Sequence, residues 1–323
     1  MSDYGVNTKH KDTFFRLVFS GERYGKTHLL ELYNALNDSN YSNADDLEIT
    51  TLSDVIYMKI KNDVSFLIDN RMTLFEHQST YNPNMPLRGL IYFASLYQKF
   101  VSKYPDLNMY GSRLIKIPTP RYIVFYNGED KRLTQERYKL RLSDAFEHEN
   151  QNGDFEWTAE LININYGSNK ELMDKCVSLR HYSIFIHKVR KYNAETGNLT
   201  KAIDKAVDEC INEGIFKDIL FDLRNEVHNM LLEEFDEEKA IKSWNYTVAK
   251  LQSEIEMFKN QNEMFKNQLA NMHTENDRFK LENKNNILQT VSLLREIGKD
   301  DNFIIQTLIS KYNISKENVY SYL

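Results

Sequence analysis

The sequence predicts an α/β core followed by a long helical arm. Three observations carry this. Residues 64–68 and 72–75 are short runs of branched and aromatic side chains separated by Asp69-Asn70, a pair suited to the positive φ angles of a tight hairpin turn. Residues 121–126, RYIVFY, read as a buried strand ended by Asn127-Gly128, and apolar patterns of helical period stand before it and between it and the hairpin. After Asn225 the composition turns charged and rich in Asn and Gln, and EMFKNQ occurs twice with an offset of seven, at 256–261 and 263–268.

At 323 residues the chain has room for one medium catalytic domain and an appendage, and 41% hydrophobic and 12% aromatic content suit a packed core. Cys176 and Cys210 stand far apart without metal-ligand spacing, so buried, reduced thiols are expected. No apolar stretch reaches membrane-spanning length, and a soluble cytoplasmic protein is expected. The net charge of −6 argues mildly against a simple nucleic-acid binder; Arg88, Arg113, Lys116, Arg121, Lys131 and Arg132 would have to supply a local patch, and scattered solvated charge fits them equally well.

In chain order, the aromatics Phe14, Phe15 and Phe19 have helical spacing ahead of Gly21, with Asp12 near the helix start. Residues 27–37 form an amphipathic helix with Leu29, Leu32, Tyr33 and Leu36 on its stripe. A strand is expected over 55–60. The hairpin follows, and its apolar face (Val64, Phe66, Ile68, Thr73, Phe75) needs a helical cover. The helix from about Leu87 to Ser102, apolar on most sides, is expected to pack on that same face. Another strand falls within 155–165, where Asn163 and Asn165 are expected to tie loops together, and helices run from Glu171 onward.

The hairpin carries the chemistry. With Asp69 and Asn70 as the central turn residues, Ile68 faces Arg71, Phe66 faces Thr73, Val64 faces Phe75, and Asp63 faces Glu76. Opposed side chains leave the same face with Cβ atoms about 4.5–5.5 Å apart, so two carboxylates there repel. Gln78 projects from that face as well. A Mg²⁺ ion removes the conflict, since it takes oxygen ligands, needs only one or two carboxylates, and leaves room for water and phosphate. The geometry therefore suggests metal-assisted hydrolysis of a phosphate ester. A slip of one residue would put Asp63 and Glu76 on opposite faces. Arg88 stands where it could meet a phosphate at the rim or pair with a nearby carboxylate.

An Asp on one strand and Glu-x-Gln on the next resembles the PD-(D/E)XK (restriction-endonuclease-like) nuclease core, with Gln in place of the usual Lys. More narrowly, NDVSFLI, FEHQSTYNPNMPLR and RYIVFYNG resemble the recombination-promoting nuclease and transposase family of bacteria, the Rpn family. The similarity runs from about Lys9 through ELININYGSNKELM into the helices beyond. It implies a mixed sheet flanked by helices and a Mg²⁺-dependent DNA endonuclease (Mn²⁺ as a substitute, RNA not excluded as substrate) with a role in recombination or mobile DNA. Asp63, Glu76 and Gln78 would be the catalytic residues. Asp63 and Glu76, the backbone carbonyl of His77 and, from the first core helix, Glu31 would be the metal ligands; a solvent-facing Glu31 is the competing reading. Gln78 hydrogen-bonds without charge, so a nuclease fold with weak or no cleavage, serving to bind nucleic acid or to assemble, stands as the alternative unless Lys59 or Lys61 reaches the site.

The organisation implied is a nuclease-like core at 1–170, a helical extension packing on it at 171–243, a coiled coil at 244–290 and a small helical module at 291–323. In the coiled coil Ile255, Asn262, Leu269, Asn276 and Asn283 occupy a, and Leu251, Phe258, Phe265, Met272, Phe279 and Asn286 occupy d. A parallel homodimer is expected, with a single solvated helix as the competing reading.

Overall fold

The computed structural model describes residues 13–50, 64–104, 109–148, 153 and 155–323. It divides into two compact units, one ending at Trp244 and the other spanning Asn245–Leu323. The strand expected over 55–60, together with Asp12, Lys59, Lys61 and Asp63, lies outside the described residues.

The first unit is an α/β structure built on a six-stranded mixed sheet. Its strands are β1 (Glu48–Ile49), β2 (Val64–Ile68), β3 (Arg71–Gln78), β4 (Thr119–Tyr126), β5 (Arg137–Arg141) and β6 (Thr158–Asn163), in spatial order β1-β2-β3-β4-β6-β5. β3 pairs antiparallel with β2 and parallel with β4, β4 runs parallel to β6, and β5 closes the edge antiparallel.

The hairpin register follows from its turn. Asp69 and Asn70 adopt φ of 47° and 55°, the left-handed pair of a type I′ turn, whose twist matches the flanking strands. Val64 then faces Phe75, Phe66 faces Thr73 and Ile68 faces Arg71, as counted from the sequence.

Each face of the sheet is buried under a different set of helices. On one face Val64, Phe66, Phe75, Ile123, Phe125 and Ile162 pack against α1 (Phe14–Ser20), α2 (Gly25–Asn37), α4 (Lys170–Lys175) and α5 (Val177–Thr196). α6 (Leu199–Asn212), α7 (Lys217–Asp222) and the start of α8 (Arg224–Glu296) extend the same cluster through Ile203, Leu220 and Leu231. The helices after Glu171 thus share the core of the sheet.

α3 (Met85–Ser102) corrects an expectation: it covers the other face. Its Tyr92, Phe93 and Leu96 pack with Met72, Leu74, Tyr122, Val124, Tyr126 and Leu161. The reason is that the helices after residue 170 already fill the first face, while a central strand carries apolar residues on both sides. Gly89 lets α3 approach, because a Cβ there would stand 2.3 Å from the Tyr122 ring. β5 was not anticipated at all. RYKLR alternates exposed Arg137, Lys139 and Arg141 with inward Tyr138 and Leu140, a half-buried edge strand.

Within the second unit, the C-terminal part of α8 packs with α9 (Asp301–Tyr312) and α10 (Lys316–Val319) through Ile287, Val291, Ile304, Leu308 and Val319. Among the described residues no helix is long and apolar enough to cross a membrane.

Replacing Gly89 with Ala forces the buried Tyr122 ring or α3 itself to move. Gly89→Ala should therefore lower the unfolding free energy by about 1–3 kcal/mol in a urea titration. An unchanged midpoint would mean that the ring yields at no cost.

Candidate functional site

The end of β3 carries Glu76, His77 and Gln78, which lie beside Val124, Phe125 and Tyr126 of β4. Glu76 and Gln78 leave the α3 face of the sheet and His77 the opposite one, as period-two alternation requires.

Glu76 is 2% exposed, a carboxylate set among apolar residues. Isolated burial of such a charge is prohibitive, so it must have a counter-ion. The loop after β3 and the first turn of α3 bring one back: Arg88 Nη2 lies 3.1 Å from Glu76 Oε2 and also donates to Tyr92 Oη at 2.9 Å. Burial alone would lower the Arg88 guanidinium, but Glu76 and Tyr92 outweigh it and hold it above its ordinary value. The carboxylate pair that the sequence allowed Arg88 is formed.

His77 sits on the other face against α1 and α5. Its ring stacks on Phe15 with centroids 5.2 Å apart, and Nε2 shares a 3.0 Å hydrogen bond with Tyr182 Oη, 105 residues along the chain. Burial lowers its pKa to about 4; a hydrogen bond with Asn127 opposes the shift and Arg190 adds to it. The imidazole is therefore neutral at pH 7. Beyond the strand ends, Arg190 of α5 donates to the Asn127 carbonyl and to Asn165 Oδ1 at 3.3 Å, and its guanidinium lies 3.6 Å from Glu238 Oε2. Asn165 Nδ2 reaches the Gly128 carbonyl and Asn169 Nδ2 the Asn163 carbonyl, so the asparagines do tie these loops together.

Glu31 has a task that neither sequence reading foresaw. Its Oε1 accepts from Val177 N–H at 2.7 Å, and its Oε2 accepts from Ser178 N–H at 3.1 Å and Ser178 Oγ–H at 2.5 Å. It caps the N-terminus of α5 from the neighbouring helix α2, where the N-cap residue Cys176 makes no side-chain capping hydrogen bond. Tyr182, Arg190 and Asn127 were not singled out from the sequence. They belong to separate elements, and no spacing along the chain could have marked them.

Asp63, half of the opposed pair, lies outside the described residues. Among the described residues, no three His, Cys, Asp or Glu side chains converge on one point. Of the basic residues considered for a patch, Arg121 bonds Asn37 and lies 3.6 Å from Glu160, and Arg132 pairs with Asp130. Arg121 also joins Arg137 and Lys139 in a cleft of about 600 Å³ where β4, β5 and β6 meet. Cys176 and Cys210 are buried and free, and burial pushes each thiol up to about 12.

No family model matches the chain, and no curated protein or solved structure matches it either.

Breaking a buried ion pair by removing one partner costs about 3–5 kcal/mol. Arg88 keeps partial contact with solvent, so Arg88→Ala should cost about 2–3 kcal/mol, measured by urea unfolding. Glu76→Gln, which keeps an acceptor for Arg88, should cost less. A larger loss in Glu76→Gln would deny the pair its role.

His77 gives a pH signature. The folded pKa lies below the unfolded value, so the stability from its neutral ring is complete above pH 6.5 and drains away as pH falls from 6.5 toward 4. Between pH 7 and 4.5 this component should amount to about 2 kcal/mol, since the ring keeps some solvent contact. His77→Gln should lose less stability than the parent over that interval; equal slopes in the two proteins would contradict the assignment.

Proposed function

We propose that the chain is a Mg²⁺-dependent DNA endonuclease of the PD-(D/E)XK kind, with Mn²⁺ as a competent substitute and a role in recombination or mobile DNA. The observation that carries the reading is Glu76: a carboxylate buried at the end of a central strand, two residues before Gln78, on a hairpin that pairs Val64 with Phe75 through to Ile68 with Arg71. The Asp-then-Glu-x-Gln pattern and the similarity of its flanking segments supply the rest.

The donor set suits the ion. Glu76 and Asp63 offer carboxylate oxygens and His77 its backbone carbonyl, all hard oxygen donors of the kind Mg²⁺ selects. Bound there, the ion would supply Lewis-acid polarisation of a phosphodiester and a more acidic water. The chain's own groups have separate duties. Gln78, with a donor and an acceptor on one amide, orients the attacking water or the scissile phosphate without adding charge. Arg88 holds the Glu76 carboxylate in place. α3 and the cluster beneath it exclude water from the inner side of Glu76.

Two observations favour a second reading, a nuclease-like protein with little cleavage that binds nucleic acid. Gln78 replaces the cation expected at that position, and Arg88 is engaged with Glu76.

Plasmid nicking separates the two. Purified protein should nick plasmid DNA in Mg²⁺ or Mn²⁺ and not in EDTA, and Asp63→Ala and Glu76→Gln should each lower the rate by about a hundredfold or more. Equal nicking by the parent and both variants would overturn the proposal and leave the binding reading.

A further inference from the structure

α8 continues through the second unit as one unbroken helix, and from Asn245 through Asn286 every side chain except the half-buried Val248 is exposed. That stretch is not polar all round. Ile255 and Leu269 at a, and Leu251, Phe258, Phe265, Met272 and Phe279 at d, are each between 52% and 67% exposed. Seven large apolar side chains on one seam, repeating every seven residues, form a surface that a solitary helix gains nothing by presenting to water. Met257, Met264 and Leu281 stay off the seam, at c and f.

The charges beside the seam say what covers it. With Ile255 at a, the e positions are Gln252, Lys259, Lys266, His273 and Lys280, and none is acidic. The g positions are Glu254, Gln261, Gln268, Glu275 and Glu282, and none is basic. In a parallel pair g of one helix meets e of the next heptad on the other, so Glu254 meets Lys259 and Glu275 meets Lys280 on both flanks. An antiparallel pair would set e against e and g against g, lysine on lysine and glutamate on glutamate. Asn262, Asn276 and Asn283 at a fit a two-stranded register, where facing amides bond each other.

We infer that the occupant of this seam is a second copy of the same chain, joined in a parallel, in-register, two-stranded coiled coil over residues 248–286. The area agrees: at on the order of 100 Å² of exposed apolar surface per seam residue, pairing covers about 1,400 Å² over both chains, within the range of stable interfaces. Both copies enter the pair at the same end. This rests on α8 alone and is independent of the nuclease reading.

The test uses the full chain. Sedimentation equilibrium should give a dimer at micromolar concentration, and Phe258→Glu with Phe265→Glu should give a monomer whose α/β unit still unfolds cooperatively. Lys259→Glu with Lys280→Glu, and separately Glu254→Lys with Glu275→Lys, should each weaken self-association by about tenfold or more, and mixing the two should restore pairing. Orientation is read by oxidation: Leu251→Cys and Phe279→Cys should each crosslink to its own kind, without competition from the buried Cys176 and Cys210. A monomeric parent, a trimer or larger assembly, no recovery on mixing, or crosslinks only between the two cysteine variants would each overturn the proposal.

Discussion

β3 has a bonded neighbour along each edge and a hydrophobic cluster on each face, and the candidate site follows from that enclosure. A polar group buried on such a strand must find its partner inside the protein. Glu76 finds Arg88 on the α3 face, and His77 finds Tyr182 on the other. The two contacts fasten opposite helical layers to adjacent residues of one strand.

The same enclosure sets neighbouring residues in different surroundings. Glu76 has a guanidinium beside it. His77 loses its charge because burial disfavours the imidazolium, and Arg190 lies close enough to add to that effect. A carboxyl group beside a cation, a neutral imidazole and an uncharged amide therefore stand in consecutive order along three residues. Such differences in environment are what let chemically ordinary side chains take distinct roles.

α8 presents the opposite situation. Where the sheet hides nearly every apolar residue, residues 245–286 leave theirs in contact with solvent. The hydrophobic effect draws no distinction between the two: apolar surface is covered by the chain itself where the fold allows, and otherwise by another molecule.

How much was legible follows from the range of each signal. The hairpin register, the Gly21 stop of α1, the strand of RYIVFY and the heptads of α8 are local, set by turn dihedrals, side-chain alternation and a seven-residue repeat within one segment. The sequence by itself determined those, and with them which side chains share a face. The alternation of β5 is equally local, but three cations in five residues give it the look of a solvated loop. The face that α3 covers, the capping of α5 by Glu31, and the joining of His77 to Tyr182 and Arg190 to Asn127 were decided only by the tertiary structure. Each depends on which helices reach a layer first and on contacts between residues far apart in the chain, and no pattern within a single segment encodes that competition.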